Sequence, residues 1–163
     1  LHEEFVGTQE KLLKDKVAVE MKRFYKTDFK RIGHLSRIAR YAEKIASQEG
    51  VNLAVVLCAA YLKDIHSDDI EGKTSAGSIL ENLGANDEIR HEVCTLIEAL
   101  RTGHTDISLE AKSLADADFI AQLEEQNKEQ AIDEEQFERF ISELVTESGR
   151  SMAKSLFSHL AVS

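Results

Sequence analysis

The sequence predicts an all-α fold, a single compact bundle of about seven or eight helices. The chain has no proline and only 8 glycines in 163 residues, so it lacks the residues that turns between strands usually need. Its apolar residues recur at intervals of three and four almost throughout, which is the spacing of helices with one buried face. Hydrophobic residues make up 42% of the chain and charged residues 31%, a balance typical of globular proteins.

The first three helices are recognised by this spacing and by the residues that can cap them. Apolar residues from 5 to 24 predict a long first helix, and those from 35 to 46 predict a second that ends at Gly50. A third helix begins after Asn52, a favourable N-cap. It is apolar on every side over 53–62, so we expect it to lie at the centre of the bundle.

The middle of the chain alternates polar segments with shorter helices. The polar segment 67–73 predicts a loop, and a short helix after it stops at Gly84. Asn86 can cap a fifth helix that ends near Gly103, and Ser108 opens a sixth.

Two further helices complete the predicted bundle. A charged stretch, 124–135, separates them from the sixth helix and reads as a solvated face. The first of the two is capped by Asp133, with Gln136 in the capping-box position. No composition shift marks a domain boundary, so residues 1–163 are predicted to form one domain, with a core over 28–123 and C-terminal helices over 133–161.

Charge and cysteine content narrow the classes of partner and compartment. The formal net charge is −10 and no long basic run occurs, which argues against a nucleic-acid polymer or an anionic membrane as partner. The longest apolar run is far shorter than the roughly 20 residues of a membrane helix, and no signal peptide is recognisable. Cys58 and Cys94 lie in apolar segments and read as buried thiols of a reducing compartment. We expect a soluble, cytoplasmic protein.

Titratable side chains lie where packing alone would not place them. Asp118 falls in the middle of an inward apolar stripe, whereas Asp116 points to a different side of the same helix. Asp64 follows the fully apolar third helix, where the helix dipole disfavours an acid. His34 borders the apolar face of the second helix, and His104 continues the stripe of the fifth. Carboxylates and imidazoles that converge inside a bundle are the ligand types for a divalent metal.

A structural explanation of the same residues stays open. An inward aspartate or histidine is often satisfied by a neighbouring cation, and the candidates here are Lys63 and Arg37. Adjacent helix residues do not face each other, but just past a helix end Lys63 could curl back to meet Asp64.

Six short motifs occur in an order that resembles the HD superfamily of metal-dependent phosphohydrolases, over about residues 28–123. They are HLSRI at 34–38, EG at 49–50, AAYLKDI at 59–65, SAG at 75–77, the segment 97–104 that ends in histidine, and ADAD at 115–118. The stretch LVTESGRSMA at 144–153 is also similar to the last helix of small bacterial members.

The resemblance implies a helical bundle that hydrolyses phosphate esters or anhydrides, commonly of nucleotides. Its metal, one of Mn, Mg, Fe, Ni or Zn, would be held by His34, Asp64 and Asp118. The further residues that it implies fall into two groups. Candidates for phosphate or substrate contacts are Arg37, Lys63, Lys73 and His104, and candidates for catalysis are Asp64, His66 and Asp68.

The sequence departs from the family pattern at one metal ligand. Lys63 stands where the family's His-Asp pair has its histidine, and the loop histidine near Lys73 is missing as well. A protonated lysine has three donors and no lone pair, so it does not ligate a metal. Two outcomes follow: either the Lys63 ammonium replaces the metal's charge in a site that binds phosphate, or His66 or His104 substitutes as a ligand.

Two classes of function therefore remain open. The first is a metal-dependent phosphohydrolase acting on a nucleotide or a small phosphoester. The second is a catalytically degenerate HD domain that serves as a ligand-binding or protein-interaction module, in which the metal is absent because of Lys63. The sequence predicts neither the substrate nor the oligomeric state.

Overall fold

Eight α-helices and one turn of 3₁₀ helix make up the described part of the chain, which contains no strand. The computed structural model describes residues 2–65 and 75–158. The helices are α1 (His2–Tyr25), α2 (Phe29–Glu49), α3 (Leu53–Leu62), α4 (Ala76–Asn82), α5 (Asp87–Thr102), α6 (Leu109–Glu129), α7 (Glu134–Glu143) and α8 (Glu147–Leu156), and the 3₁₀ turn is Thr105–Ile107. The predicted all-α bundle is confirmed, and the predicted loop 67–73 lies outside the described residues.

The third helix lies at the centre, as its uniform apolar character predicts. Most side chains of α3 are buried, and the helix packs against α1, α2, α5 and α6. Asn52 caps it by accepting a hydrogen bond from the Val55 backbone N–H at 3.3 Å. The position of α3 matters for the site because the helix ends directly before Lys63 and Asp64.

The other helix ends also agree with the local sequence. Gly50 and Gly103 adopt left-handed backbone angles, with φ of 73° and 78°, and end α2 and α5. Asn86 and Ser108 cap α5 and α6, and Asp133 forms the predicted capping box at the start of α7. These short-range features are therefore encoded within a few residues of each helix end.

The sixth helix is longer than the sequence predicts. It continues to Glu129 and α7 begins at Glu134, so most of the charged stretch 124–135 is helical and residues 130–133 separate the two helices. The physical reason is that Glu124 and Glu125 form ion pairs with α2 instead of facing solvent.

Asp116 is the more buried of the two aspartates on α6, whereas the sequence predicts that Asp118 is. Asp116 is 3% exposed, and its carboxylate accepts hydrogen bonds from the backbone N–H groups of Val145 and Thr146 and from the Thr146 hydroxyl. Asp118 is only partly buried. The prediction was wrong because α6 packs on α8 as well as on α2 and α3, so a second face of the helix is also covered.

The cysteines differ from each other. Cys58 on α3 is buried as predicted, but Cys94 on α5 is exposed, so its prediction was wrong. Cys94 follows the buried Val93 on α5, and the next residue of a helix points about 100° away from its neighbour.

Among the described residues, no helix combines the length and the apolar character needed to span a membrane.

Candidate functional site

Lys63 joins two acidic residues that are distant in sequence. Its Nζ lies 3.1 Å from Asp64 Oδ2 and 3.5 Å from Asp118 Oδ2. The side chain of Lys63 is only 11% exposed, and both carboxylates are about three-quarters buried or more. We call these three residues the Lys63 centre.

The local sequence explains how the ammonium reaches both carboxylates. Lys63 is the C-terminal cap of α3, and its side chain turns back so that Nζ lies 3.1 Å from each oxygen of Asp64. A cation is favoured at this end of a helix, where the dipole is negative. Asp118 approaches from α6, so the Lys63 centre ties the end of the central helix to its neighbour.

Arg31 and Tyr25 extend the Lys63 centre towards α1, and the sequence reasoning missed both. Arg31 Nη1 donates to Asp64 Oδ2 at 3.3 Å, and the guanidinium lies 5.9 Å from the centroid of the Tyr25 ring. The Tyr25 hydroxyl is buried and has no hydrogen-bond partner among the described residues. Burial raises the pKa of Tyr25, and the charge of Asp64 adds to the effect. An unsatisfied buried hydroxyl of this kind calls for an explanation.

His34 does not contact the Lys63 centre in the described structure. Its Nδ1 lies 2.5 Å from Glu125 Oε1, and Arg37 Nη1 donates to the same oxygen at 2.8 Å. Burial acts to raise the pKa of Glu125, but the hydrogen bond and charge of His34, together with Arg37, outweigh it, so the pKa is lowered. Glu125 therefore carries a negative charge between two basic side chains.

A second carboxylate of α6 continues this contact along α2. Glu124 accepts a hydrogen bond from the buried Tyr41 hydroxyl, and it lies 3.8 Å from Arg37 Nε and 3.7 Å from Lys128 Nζ. We call His34, Arg37, Tyr41, Glu124 and Glu125 the polar seam. Arg37, a predicted phosphate contact, is thus held by two glutamates.

A spacing rule would have found part of the polar seam. Glu125 lies seven residues after Asp118, which is two helical turns and therefore the same face of α6. Nothing in the local sequence, however, indicates that α2 supplies the cations on the facing side.

Among the described residues, the acids that the resemblance names do not fit a divalent metal while Lys63 lies between them. Among the described residues, no group of three or more His, Cys, Asp or Glu side chains is arranged to hold a metal ion. The ammonium contacts the two carboxylates that the resemblance names as ligands, and it offers no lone pair of its own. The ligand set of His34, Asp64 and Asp118 stays a prediction.

The remaining predicted residues lie elsewhere. His104 is exposed, its Nδ1 is 3.2 Å from Thr102 Oγ1, and it lines a separate cavity on α5 together with Cys94. His66, Asp68 and Lys73 lie outside the described residues.

The fold and the Lys63 centre together define an all-α bundle with a partly buried polar site at the end of its central helix. A family model described as the HD domain matches residues 31–123, which is more than half of the chain. The protein therefore belongs to the HD domain family. This family is of the metal-dependent phosphohydrolase type, and HD domains generally bind divalent metals.

Solved structures agree with the family assignment at the level of the fold. Bacillus subtilis YpgQ superposes with a TM-score of 0.66 and 20% identity, covering 93% of this chain and 94% of that one. A second structure is described as YpgQ in complex with ADP, with a TM-score of 0.65, 20% identity and 92% of each chain covered. The Listeria innocua Lin1889 protein gives a TM-score of 0.64 and 18% identity, covering 90% of this chain and 91% of that one. No curated protein matches the chain in sequence.

Proposed function

We propose that this protein is a catalytically degenerate HD domain that binds a small phosphorylated ligand such as a nucleotide, with the Lys63 centre in place of a metal centre. The observation that carries the proposal is the contact of one largely buried ammonium with Asp64 and Asp118. These are two of the acids that the family resemblance assigns to the metal.

A lysine ammonium lacks the catalytic properties that a metal ion gives to phosphate hydrolysis. A metal accelerates hydrolysis because it lowers the pKa of its bound water and stabilises the charge on the phosphoryl oxygens. An ammonium supplies positive charge and hydrogen-bond donors but generates no hydroxide at neutral pH. The Lys63 centre is therefore poorly suited to cleave a phosphate. Because its one ammonium already pairs with two carboxylates, the direct phosphate contact must come from neighbouring donors.

Arg31 and Tyr25 are the best candidates for the phosphate contact. The Arg31 side chain is 46% exposed, so it can turn towards an incoming anion while it stays beside Asp64. The Tyr25 hydroxyl is a buried donor without a partner among the described residues. The description of YpgQ in complex with ADP makes a nucleoside diphosphate the first ligand to test.

Calorimetric titration with ADP in the presence of EDTA tests binding without a metal. We expect the wild-type chain to bind ADP and Arg31→Ala to lower the affinity about tenfold, since a charge-assisted hydrogen bond to phosphate is lost. Arg23→Ala is the matched control, because Arg23 is exposed and its ion-pair partner among the described residues is Glu20 in the same helix. Failure of the wild-type chain to bind ADP or pyrophosphate would contradict the proposal.

A metal-dependent phosphohydrolase is the second candidate, and one contact favours it. The Glu125 carboxylate is hydrogen-bonded to Nδ1 of His34, and Nε2 of the same ring has no partner among the described residues. Histidines that ligate metals are commonly oriented in this way by a carboxylate on the other ring nitrogen.

Elemental analysis separates the two candidates. After incubation with Mn²⁺ and gel filtration, we expect wild-type protein to retain little metal and to release no phosphate from nucleotides. Lys63→His should gain metal, because an imidazole then stands beside Asp64. A stoichiometric metal with phosphate release in the wild type would favour the hydrolase, and an unchanged metal content in Lys63→His would count against the alignment of Lys63 with the family's histidine.

A further inference from the structure

An open groove of about 320 Å³ lies between α6 and α7. Its wall includes the rings of Phe119 and Phe140, which stack with centroids 4.4 Å apart and an angle of 19° between their planes, together with the buried Leu123. Small-molecule sites usually occupy about 300–1,000 Å³. The groove is therefore large enough for a planar ring and too small for an extended ligand.

Gln122 connects this groove to the Lys63 centre. Its side chain lines the groove, and its Nε2 donates to Asp118 Oδ1 at 3.0 Å. The other oxygen of the same carboxylate contacts Lys63 Nζ at 3.5 Å. Gln122 and Asp118 therefore lie between the groove and the Lys63 centre, and these two features are neighbours along α6.

The charges around the groove differ from those at the Lys63 centre. Arg139 and Glu143 line the groove with opposite charges, and Gln126 adds a neutral amide. Arg139 forms no ion pair with another described residue, and the Gln126 side chain has no partner there either, so both keep their hydrogen-bonding capacity. A lining that combines aromatic and aliphatic side chains with amide and guanidinium donors suits an uncharged heterocycle, since the ring packs against the apolar side chains and the donors meet its polar edge.

We infer that the groove between α6 and α7 is the base-binding subsite of a nucleotide whose phosphates lie at the Lys63 centre and Arg31, and that Gln126 and Arg139 determine base recognition. The inference rests on the proposed function and adds the ligand's class and orientation to it. The base thereby meets the groove, and the phosphates meet the exposed guanidinium of Arg31, since Lys63 is already paired with Asp64 and Asp118.

Parallel titrations with ADP and with pyrophosphate test the inference on the full chain in EDTA. We expect the double variant Gln126→Ala/Arg139→Ala to bind ADP about tenfold or more weakly, the usual effect of removing polar contacts to a ligand, and to bind pyrophosphate as the wild type does. Both side chains are exposed, so the variant should fold, and thermal melting checks this. Glu98→Ala, in the separate cavity on α5, is the control and should bind both ligands normally.

The outcomes distinguish the subsite from the proposed function. ADP binding that is unchanged in the double variant, or weakened equally with pyrophosphate binding, would overturn the subsite and leave the phosphate site intact. Wild-type protein that binds pyrophosphate as tightly as ADP would overturn it in the same way. Wild-type protein that binds neither ligand would overturn both. Gln126→Trp, which fills the groove, should reproduce the selective loss of ADP.

Discussion

Lys63 is the residue on which the charge balance of the site depends. Asp64 has a second cation in Arg31, whereas Asp118 has Lys63 as its ion-pair partner and Gln122 as a neutral one. Removing the ammonium leaves Asp118 as a partly buried charge without a counter-ion among the residues that the structure describes, which is costly. We predict that Lys63→Met lowers the free energy of unfolding by about 1–3 kcal/mol, measured by urea denaturation, while Lys63→Arg keeps most of the stability.

A double-mutant cycle identifies the cause of that loss. In Lys63→Met/Asp118→Asn the unpaired carboxylate is gone, so the double variant should recover part of the stability that Lys63→Met loses. Strict additivity of the two single substitutions would show that the contact between Lys63 and Asp118 contributes nothing to folding.

The two cysteines should react very differently with thiol reagents. Burial raises the pKa of the Cys58 thiol to about 12, so it is neither accessible nor ionised near neutral pH. Cys94 is exposed, although partial burial of the thiol raises its pKa as well. We predict that a disulfide reagent at mildly alkaline pH labels Cys94 alone in the native chain and both thiols in urea. Rapid labelling that persists in native Cys94→Ser would contradict the burial of Cys58.

Some contacts of the site can be predicted from the sequence, and others cannot. The pairing of Lys63 with Asp64 follows from its place just past a helix end, and the sequence indicates Lys63 and Arg37 as the candidate partners of an inward aspartate or histidine. The contact of Arg31 with Asp64 joins residues 33 apart in sequence. It depends on how α2 packs, and no local pattern carries that information.

The eighth helix begins against a buried carboxylate on α6. Asp116 accepts three hydrogen bonds from Val145 and Thr146 at the start of α8, and Gly149 packs over it. A Cβ at Gly149 would lie 2.4 Å from Asp116 Oδ2 and 2.7 Å from Thr146 Oγ1. A residue without a side chain is therefore required at this close approach.

Glycine-to-alanine substitutions at two helical positions should have opposite effects. Gly149→Ala is expected to lower the free energy of unfolding by about 2 kcal/mol or more, because the added methyl group must displace a buried hydrogen-bonded carboxylate. Gly33→Ala, inside α2 with nothing within 4 Å of the new Cβ, should raise it by about 0.5–1 kcal/mol. Urea denaturation of both variants checks the signs, and equal effects would contradict the close packing at Gly149.

Helix ends were more predictable than helix lengths. Caps such as Asn52, Asn86 and Asp133 act over three residues, so the sequence contains the whole interaction. The extension of α6 to Glu129 is stabilised by ion pairs with α2, which form only in the folded bundle. In the sequence of an acidic chain, a charged segment that forms ion pairs in the folded protein has the same pattern as one that faces solvent.

At the scale of the whole molecule, the C-terminal helices are joined to the core by polar contacts. Asp116 links α6 to the start of α8, and Glu49 at the end of α2 accepts a hydrogen bond from the Ser148 N–H at 3.2 Å. The buried Ala153 and Phe157 belong to the same hydrophobic cluster as the side chains of α3. The two C-terminal helices therefore have no separate core on which to fold.

This continuity predicts that the chain unfolds in one cooperative step. Differential scanning calorimetry should give equal calorimetric and van't Hoff enthalpies, with a heat-capacity increase of about 2 kcal/mol/K, since each residue contributes about 12–15 cal/mol/K. Asp116→Ala should lower the midpoint, because the amides that Asp116 satisfies at the start of α8 lose their partner, yet the transition should stay single. A separate early transition in the wild type would mean that α7 and α8 unfold on their own, and it would contradict the prediction of one domain over residues 1–163.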